Sequence, residues 1–128
     1  MILDSSMLML PLEKRINLSF ELERIITSSF EIVVPQIVLN ELTTLSEKGK
    51  PSIKQKALLA IKLANNFKIL DSDIEGNADL EIERLAEEYQ AIVATNDAEL
   101  RSKLRKKGLA VISLRGKNQL AFFGFEDY

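Results

Sequence analysis

Short, nearly continuous apolar runs alternate along this chain with stretches whose apolar positions recur at helical spacing. Residues 1–4, 31–34, 67–70, 91–95 and 109–114 read as strands, because each is a brief apolar segment bounded by polar or turn residues. A mostly helical stretch fills about 10–29. Pro35 suits a first helical turn, and that helix runs to Lys48 before Gly49. Pro51 and Ser52 start another helix, to about Asn66. Residues 71–76 form an acidic loop. Asn77 then caps a helix that reaches Tyr89, with Ala78, Ile82, Leu85, Ala86 and Tyr89 on its inner face. Asn96-Asp97-Ala98-Glu99 has the form of a capping box, with Asn96 as the cap, and opens a last helix that ends at Gly108. Strands without polar alternation, separated by helices, predict an α/β domain with a parallel sheet covered on both faces. Such sheets carry their sites outside the carboxyl ends of the strands.

Composition narrows the chemistry. The 128 residues are 46% hydrophobic and 28% charged, the balance of one globular domain spanning 1–128, with a tail from about 117. There is no cysteine and no histidine, which excludes thiol nucleophiles, disulfides, structural zinc sites that need these ligands, and histidine-based triads. Carboxylate, hydroxyl and lysine chemistry remains, and carboxylates favour Mg²⁺ or Mn²⁺. No apolar run is long enough to cross a membrane and no signal-peptide pattern opens the chain, so a cytoplasmic protein is expected. The formal net charge of −2 argues against a protein that coats nucleic acid nonspecifically.

Four isolated carboxylates stand out: Asp4, Glu41, Asp79 and Asp97. Asp4 ends the first strand, Asp79 opens a helix, and Asp97 follows the fourth apolar run beside Thr95 and Asn96. Each aspartate also has a purely structural explanation, as a turn residue or as an acid in a first helical turn. Glu41 is the most informative. The helix from Pro35 carries an apolar stripe through Ile37, Val38, Leu42 and Leu45, and Glu41 falls on it. A carboxylate buried there without a partner would cost several kcal/mol, so a cation or a basic side chain is expected beside it, unless it lies at the stripe's edge and reaches water. Converging at one sheet edge, the four would make an oxygen-ligand site for a divalent metal.

Other charged groups are competitors or accessories. Asp71, Asp73 and Glu75 fit a solvated acidic loop, and Glu81, Glu83, Glu87 and Glu88 fall on the outer face of their helix. Arg101, Lys103, Arg105, Lys106 and Lys107 either complement a helix C-terminus or attract a phosphate backbone. Lys48, Lys50, Lys54 and Lys56 could form a second basic rim. Leu120-Ala121-Phe122-Phe123-Gly124-Phe125 either packs on its own core or serves docking or self-association.

Together, Ile2-Leu3-Asp4, Val33-Val34-Pro35-Gln36-Ile37-Val38-Leu39-Asn40-Glu41-Leu42, Asn77-Ala78-Asp79 and Ala94-Thr95-Asn96-Asp97 resemble a PIN domain, a family of metal-dependent nucleases. The resemblance covers roughly residues 1–115. It implies a three-layer α/β/α fold with about five parallel strands in the order 3-2-1-4-5. It also implies an endoribonuclease in which Asp4, Glu41, Asp79 and Asp97 hold Mg²⁺ or Mn²⁺, with Ser5, Ser6, Thr95 and Asn96 as supporting groups. The Val33-Val34-Pro35…Glu41-Leu42 run and Val111-Ile112-Ser113-Leu114-Arg115-Gly116-Lys117 look most like archaeal members related to endonucleases that process small-subunit ribosomal RNA. Single-stranded RNA or pre-rRNA, ribosomal assembly proteins and a second copy of the chain are the partners this implies. The family commonly follows its first aspartate with Thr-Asn, whereas this chain has Ser5-Ser6. Two other classes fit the same residues: a toxin-type PIN ribonuclease held by an antitoxin, and an inactive RNA- or protein-binding PIN module.

Overall fold

In the computed structural model, which describes residues 1–26 and 29–124, six strands form one sheet in the order β3-β2-β1-β4-β5-β6. The elements are β1 (Ile2–Leu3), α1 (Ser5–Lys14), α2 (Leu18–Ile25), β2 (Val33–Pro35), α3 (Gln36–Lys48), α4 (Pro51–Ala64), β3 (Lys68–Leu70), α5 (Ala78–Tyr89), β4 (Val93–Ala94), α6 (Ala98–Lys106), β5 (Val111–Arg115) and β6 (Gln119–Phe123). The expected parallel core is present. β1 lies at its centre, flanked by β2 and β4, with β3 and β5 next outward.

Two features differ from the sequence reading. The helical stretch over 10–29 is two helices and begins earlier, at Ser5. Arg15 adopts a left-handed conformation (φ 53°) that ends α1, and the Asn17 side chain accepts from the Phe20 N–H to start α2. The segment read as a tail forms β6, an antiparallel sixth strand on the outer edge of β5. A three-residue turn at Gly116 (φ 74°) joins them, a backbone region that glycine enters without strain. Phe125 lies outside the described residues.

The core is continuous. Ile2, Leu3, Val34, Val93, Ala94, Val111 and Ile112 are buried in the sheet, and Met7, Leu10, Leu22, Val38, Leu42, Leu85 and Leu104 pack on it from the helices. Small residues Ala57, Ala60 and Ala64 line the buried face of α4. No helix among the described residues is long and apolar enough to cross a membrane.

The strand register creates a polar row just past the strand ends. Leu3 stands opposite Ala94, and Ala94 opposite Ile112. One residue further on, Asp4, Thr95 and Ser113 follow on three adjacent chains, and all three are buried. In an otherwise apolar sheet this is where chemistry concentrates.

Candidate active site

Asp4 is the most constrained acid of the row. It is the N-cap of α1, its Oδ1 accepting from the Met7 N–H (2.9 Å) and the Ser6 hydroxyl (2.8 Å). Thr95 donates its hydroxyl to the other carboxylate oxygen. Burial raises the Asp4 pKa to about 6, against the pull of these three hydrogen bonds, and the Asp79 charge pushes the same way as burial. Ser6 and Thr95 then work outward. The Ser6 hydroxyl accepts from the Asn96 N–H (2.9 Å), and Thr95 Oγ1 accepts from the Asp97 N–H (3.0 Å), so both hold the β4 exit against the start of α1. Asn96 thus contributes backbone, and no side-chain bond of Ser5 joins the network.

Asp97 itself, one residue later than the sequence suggested, caps α6. Its Oδ1 accepts from the Glu99 N–H (2.9 Å) and the Leu100 N–H (3.2 Å). Asn77 caps α5 as expected, which places Asp79 in the first turn of that helix, half-buried.

Asp79 is the electrostatic hub. Its pKa is raised, first by burial and then by the charges of Asp97 and Glu41, with Lys103 opposing them and Glu99 adding to them. Since Asp4 also feels Asp79, all four carboxylates singled out in the sequence share one field. As they stand, no three His, Cys, Asp or Glu residues among those described are close enough to hold a metal ion together. The donor set is nonetheless oxygen only, which suits a hard divalent cation. Glu41 is exposed and Asp79 half-buried, while Asp4 is buried and held by three hydrogen bonds.

For Glu41 the structure selects the second of the two expectations. This residue does lie on the α3 stripe, but it is exposed and needs no buried counter-charge. The stripe at that level meets open space. Ile37, Glu41 and Leu45 line one wall of a cleft of about 310 Å³ whose other wall is Ile74, Gly76 and Ala78. The acids assigned to the outer face of α5 also divide. Glu87 and Glu88 are exposed, whereas Glu81 and Glu83 are buried, and Tyr89, expected inside, is 59% exposed. Glu81 holds Arg84 through two hydrogen bonds (2.7 and 2.8 Å) and accepts from the Asp73 N–H (2.7 Å). It was excluded in the sequence because charge on a helix usually marks the solvated side.

The basic arm is split by its helix. Arg101 donates to the buried Ser113 hydroxyl (2.7 Å), and Lys103 lies 3.5 Å from Glu99 and within reach of Asp79. Arg105 bonds the Leu109 and Phe123 carbonyls, and Lys107 pairs with Glu87 and Glu83 at the far end of α6. Of the five, Lys103 acts on Asp79 and Arg101 is held at the buried polar row by Ser113. Ser113 was missed in the sequence, where a lone hydroxyl inside an apolar strand was the available signal.

The PIN like domain family matches residues 1–117. The chain belongs to the PIN family. Ribonuclease VapC4 of Methanocaldococcus jannaschii is 31% identical over 125 residues, 94% of each chain. Ribonuclease VapC9 of Archaeoglobus fulgidus is 36% identical over 74 residues, 58% of this chain and 53% of its own length. The solved structure of the PIN domain endonuclease Utp24 superposes with a TM-score of 0.78 at 22% identity, covering 94% of this chain and 88% of its own. A domain of a functionally unknown Methanocaldococcus jannaschii protein does so at 0.67 and 17% identity, covering 92% of each. The PIN-like fold expected from the sequence is therefore the fold observed, with one strand added at the edge. PIN domain nucleases generally use divalent metals.

Proposed function

We propose that this PIN-domain ribonuclease hydrolyses internal phosphodiester bonds of single-stranded RNA at the strand-exit edge, with Asp4, Glu41, Asp79 and Asp97 holding one or two Mg²⁺ or Mn²⁺ ions. The observation that carries this reading is the shared field centred on Asp79, which keeps like charges together at a cost that a bound cation would offset. When bound, the cation would supply Lewis acidity, lowering the pKa of the attacking water and neutralising charge on the phosphate. Thr95, Ser6 and the Met7 N–H orient Asp4. Arg101, anchored on Ser113, and Lys103 draw the RNA backbone toward the acids. End-labelled single-stranded RNA incubated with Mn²⁺ tests this directly. Cutting by the parent, absent with EDTA and absent in Asp97→Asn, is expected. Cutting that survives both changes contradicts it.

Two cellular roles are compatible with this chemistry. Processing of small-subunit rRNA, with pre-rRNA as substrate and assembly proteins as partners, is supported by the sequence runs noted above and by the fold shared with Utp24. A toxin-type ribonuclease held by an antitoxin is favoured by the VapC relatives. Depletion and induced expression separate them. Accumulated rRNA precursors on depletion indicate processing, whereas growth arrest by the parent but not by Asp97→Asn indicates a toxin.

A further inference from the structure

The cleft beside Glu41 has a definite shape because both walls are tied down. One wall is α3, where Gln36 Nε2 donates to Asn40 Oδ1 (2.9 Å) and sets the Asn40 amide. The other is the loop that follows β3. Its Ser72 hydroxyl accepts from the Ile37 N–H at the start of α3 (3.0 Å), and its Asp73 N–H donates to the buried Glu81 carboxylate (2.7 Å). Between these anchors Ile74 stands 58% exposed, facing the cleft rather than a core. The two anchors hold Ile74 against the cleft, where a ligand seated between the walls would meet it directly.

The lining selects the ligand. Leu45, Ile74 and Ala78 make the apolar walls over the nearly buried Ile37, with Asn40, Thr44 and Glu41 as the polar groups. A flat neutral ring gains apolar contact from this lining. The volume of about 310 Å³ lies at the small end of ligand pockets and suits one base. Gln36 orients the Asn40 amide with its N–H groups directed away from that bond, and the amide then offers a donor beside an acceptor. Adenine presents the complementary pair, an amino group next to a ring nitrogen. Uracil and the O6 edge of guanine place a carbonyl oxygen where that amino group would be. Guanine's own amino and ring-nitrogen pair, N2 with N3, lies on its sugar-facing edge. Cytosine carries the pair but, as a single ring, covers less of the apolar lining around Ile74.

We propose that this cleft is a nucleobase subsite that takes an adenine of the RNA strand next to the scissile phosphate, with Asn40 reading its edge and Ile74 covering its face. The assignment rests on the ribonuclease reading for the kind of polymer. Binding at the cleft can be measured without any cleavage.

Adenosine and uridine 5′-monophosphates, which contain no internucleotide bond to cut, are titrated in Mg²⁺ buffer against protein labelled at isoleucine methyls and side-chain amides. The adenosine nucleotide is expected to shift the Ile74 methyl and the Asn40 amide and to bind about tenfold more tightly than the uridine nucleotide. Asn40→Leu should remove the difference, and Ile74→Ala should weaken both; unchanged core methyl signals will show that each variant is folded. Equal binding of the two nucleotides, or shifts confined to other surfaces, overturns the subsite. In parallel, a uridine-run RNA with one adenosine should be cut beside that adenosine, a preference lost in Asn40→Leu. Nucleotide binding at the cleft without cutting leaves the subsite standing and sinks the nuclease reading. Cutting without binding at the cleft does the reverse, and absence of both removes both.

Discussion

Thr95 donates its hydroxyl hydrogen to the Asp4 carboxylate, and the pairing of Leu3 with Ala94 one residue earlier brings the two face to face. Both are buried, so the bond is made out of reach of water. Thr95 also accepts from the Asp97 N–H. Thr95→Val keeps the shape, deletes the hydroxyl and leaves two polar partners unsatisfied, which costs about 1–3 kcal/mol. Urea unfolding should show that loss, and Thr95→Ser should recover most of it.

Stability in the absence of divalent ions should fall as pH rises through the weakly acidic range. Asp4 titrates near 6 in the fold, above its ordinary value of 3.8. The folded state therefore binds more protons than the unfolded chain between those values, and ionising the buried group opposes folding by roughly 3 kcal/mol once the pH exceeds about 6. Asp79, also raised, acts in the same direction. Glu21 and Glu81, both lowered by their arginine partners, act in the opposite direction and in a different window. Their contribution is full above the ordinary glutamate range and is lost only as pH falls below it, through their folded values. Thermal unfolding in EDTA should therefore show stability that declines between about pH 4 and pH 6 and levels off above that. Asp4→Asn should flatten that decline, and an unchanged profile in the variant would refute the assignment.

Much of this site was legible because strand ends and helix starts leave marks in sequence. Asp4 follows an apolar pair, Asp79 follows the cap Asn77, and Asp97 follows a strand, so local pattern alone placed these three at helix starts. The sequence placed Glu41 on its helix stripe but left open whether it met a buried partner or water, and it is exposed. Periodicity reports which face of α3 a residue occupies, but whether that face meets a core or a cleft depends on the distant loop carrying Ile74. The same limit explains Glu81, whose burial depends on a loop amide eight residues earlier. The sixth strand was missed because its hairpin partner is the neighbouring β5, while the aromatic content of the segment suggested a tail.

Charge reversal along α6 should separate its two ends. Lys103 lies within reach of Asp79, whereas Lys106 is the last residue of the helix, about 13 Å along the axis from the Asp97 cap. Lys103→Glu should weaken RNA binding severalfold and flatten its salt dependence. Lys106→Glu should leave both unchanged in an anisotropy titration.

The free edge of β6 is stoppered by side chains. The Leu120 N–H donates to Glu21 (2.9 Å), and its carbonyl accepts from Arg24 (2.8 Å), as a neighbouring strand would do. Edge strands with free backbone groups invite pairing with other chains. Glu21→Ala should expose that amide, lower stability by about 1–3 kcal/mol and promote self-association, readable by sedimentation velocity. A variant that stays in the parent's association state would remove this role from Glu21.

The central claim, that Asp4, Glu41, Asp79 and Asp97 act together on a divalent cation, is tested most directly by Mn²⁺ binding, measured by calorimetry on the parent and on the four single carboxylate-to-amide variants. Saturable binding by the parent, accompanied by proton release below pH 7 and weakened in every variant, is the result expected. Equal binding by the parent and all four variants, or none by the parent, would contradict it.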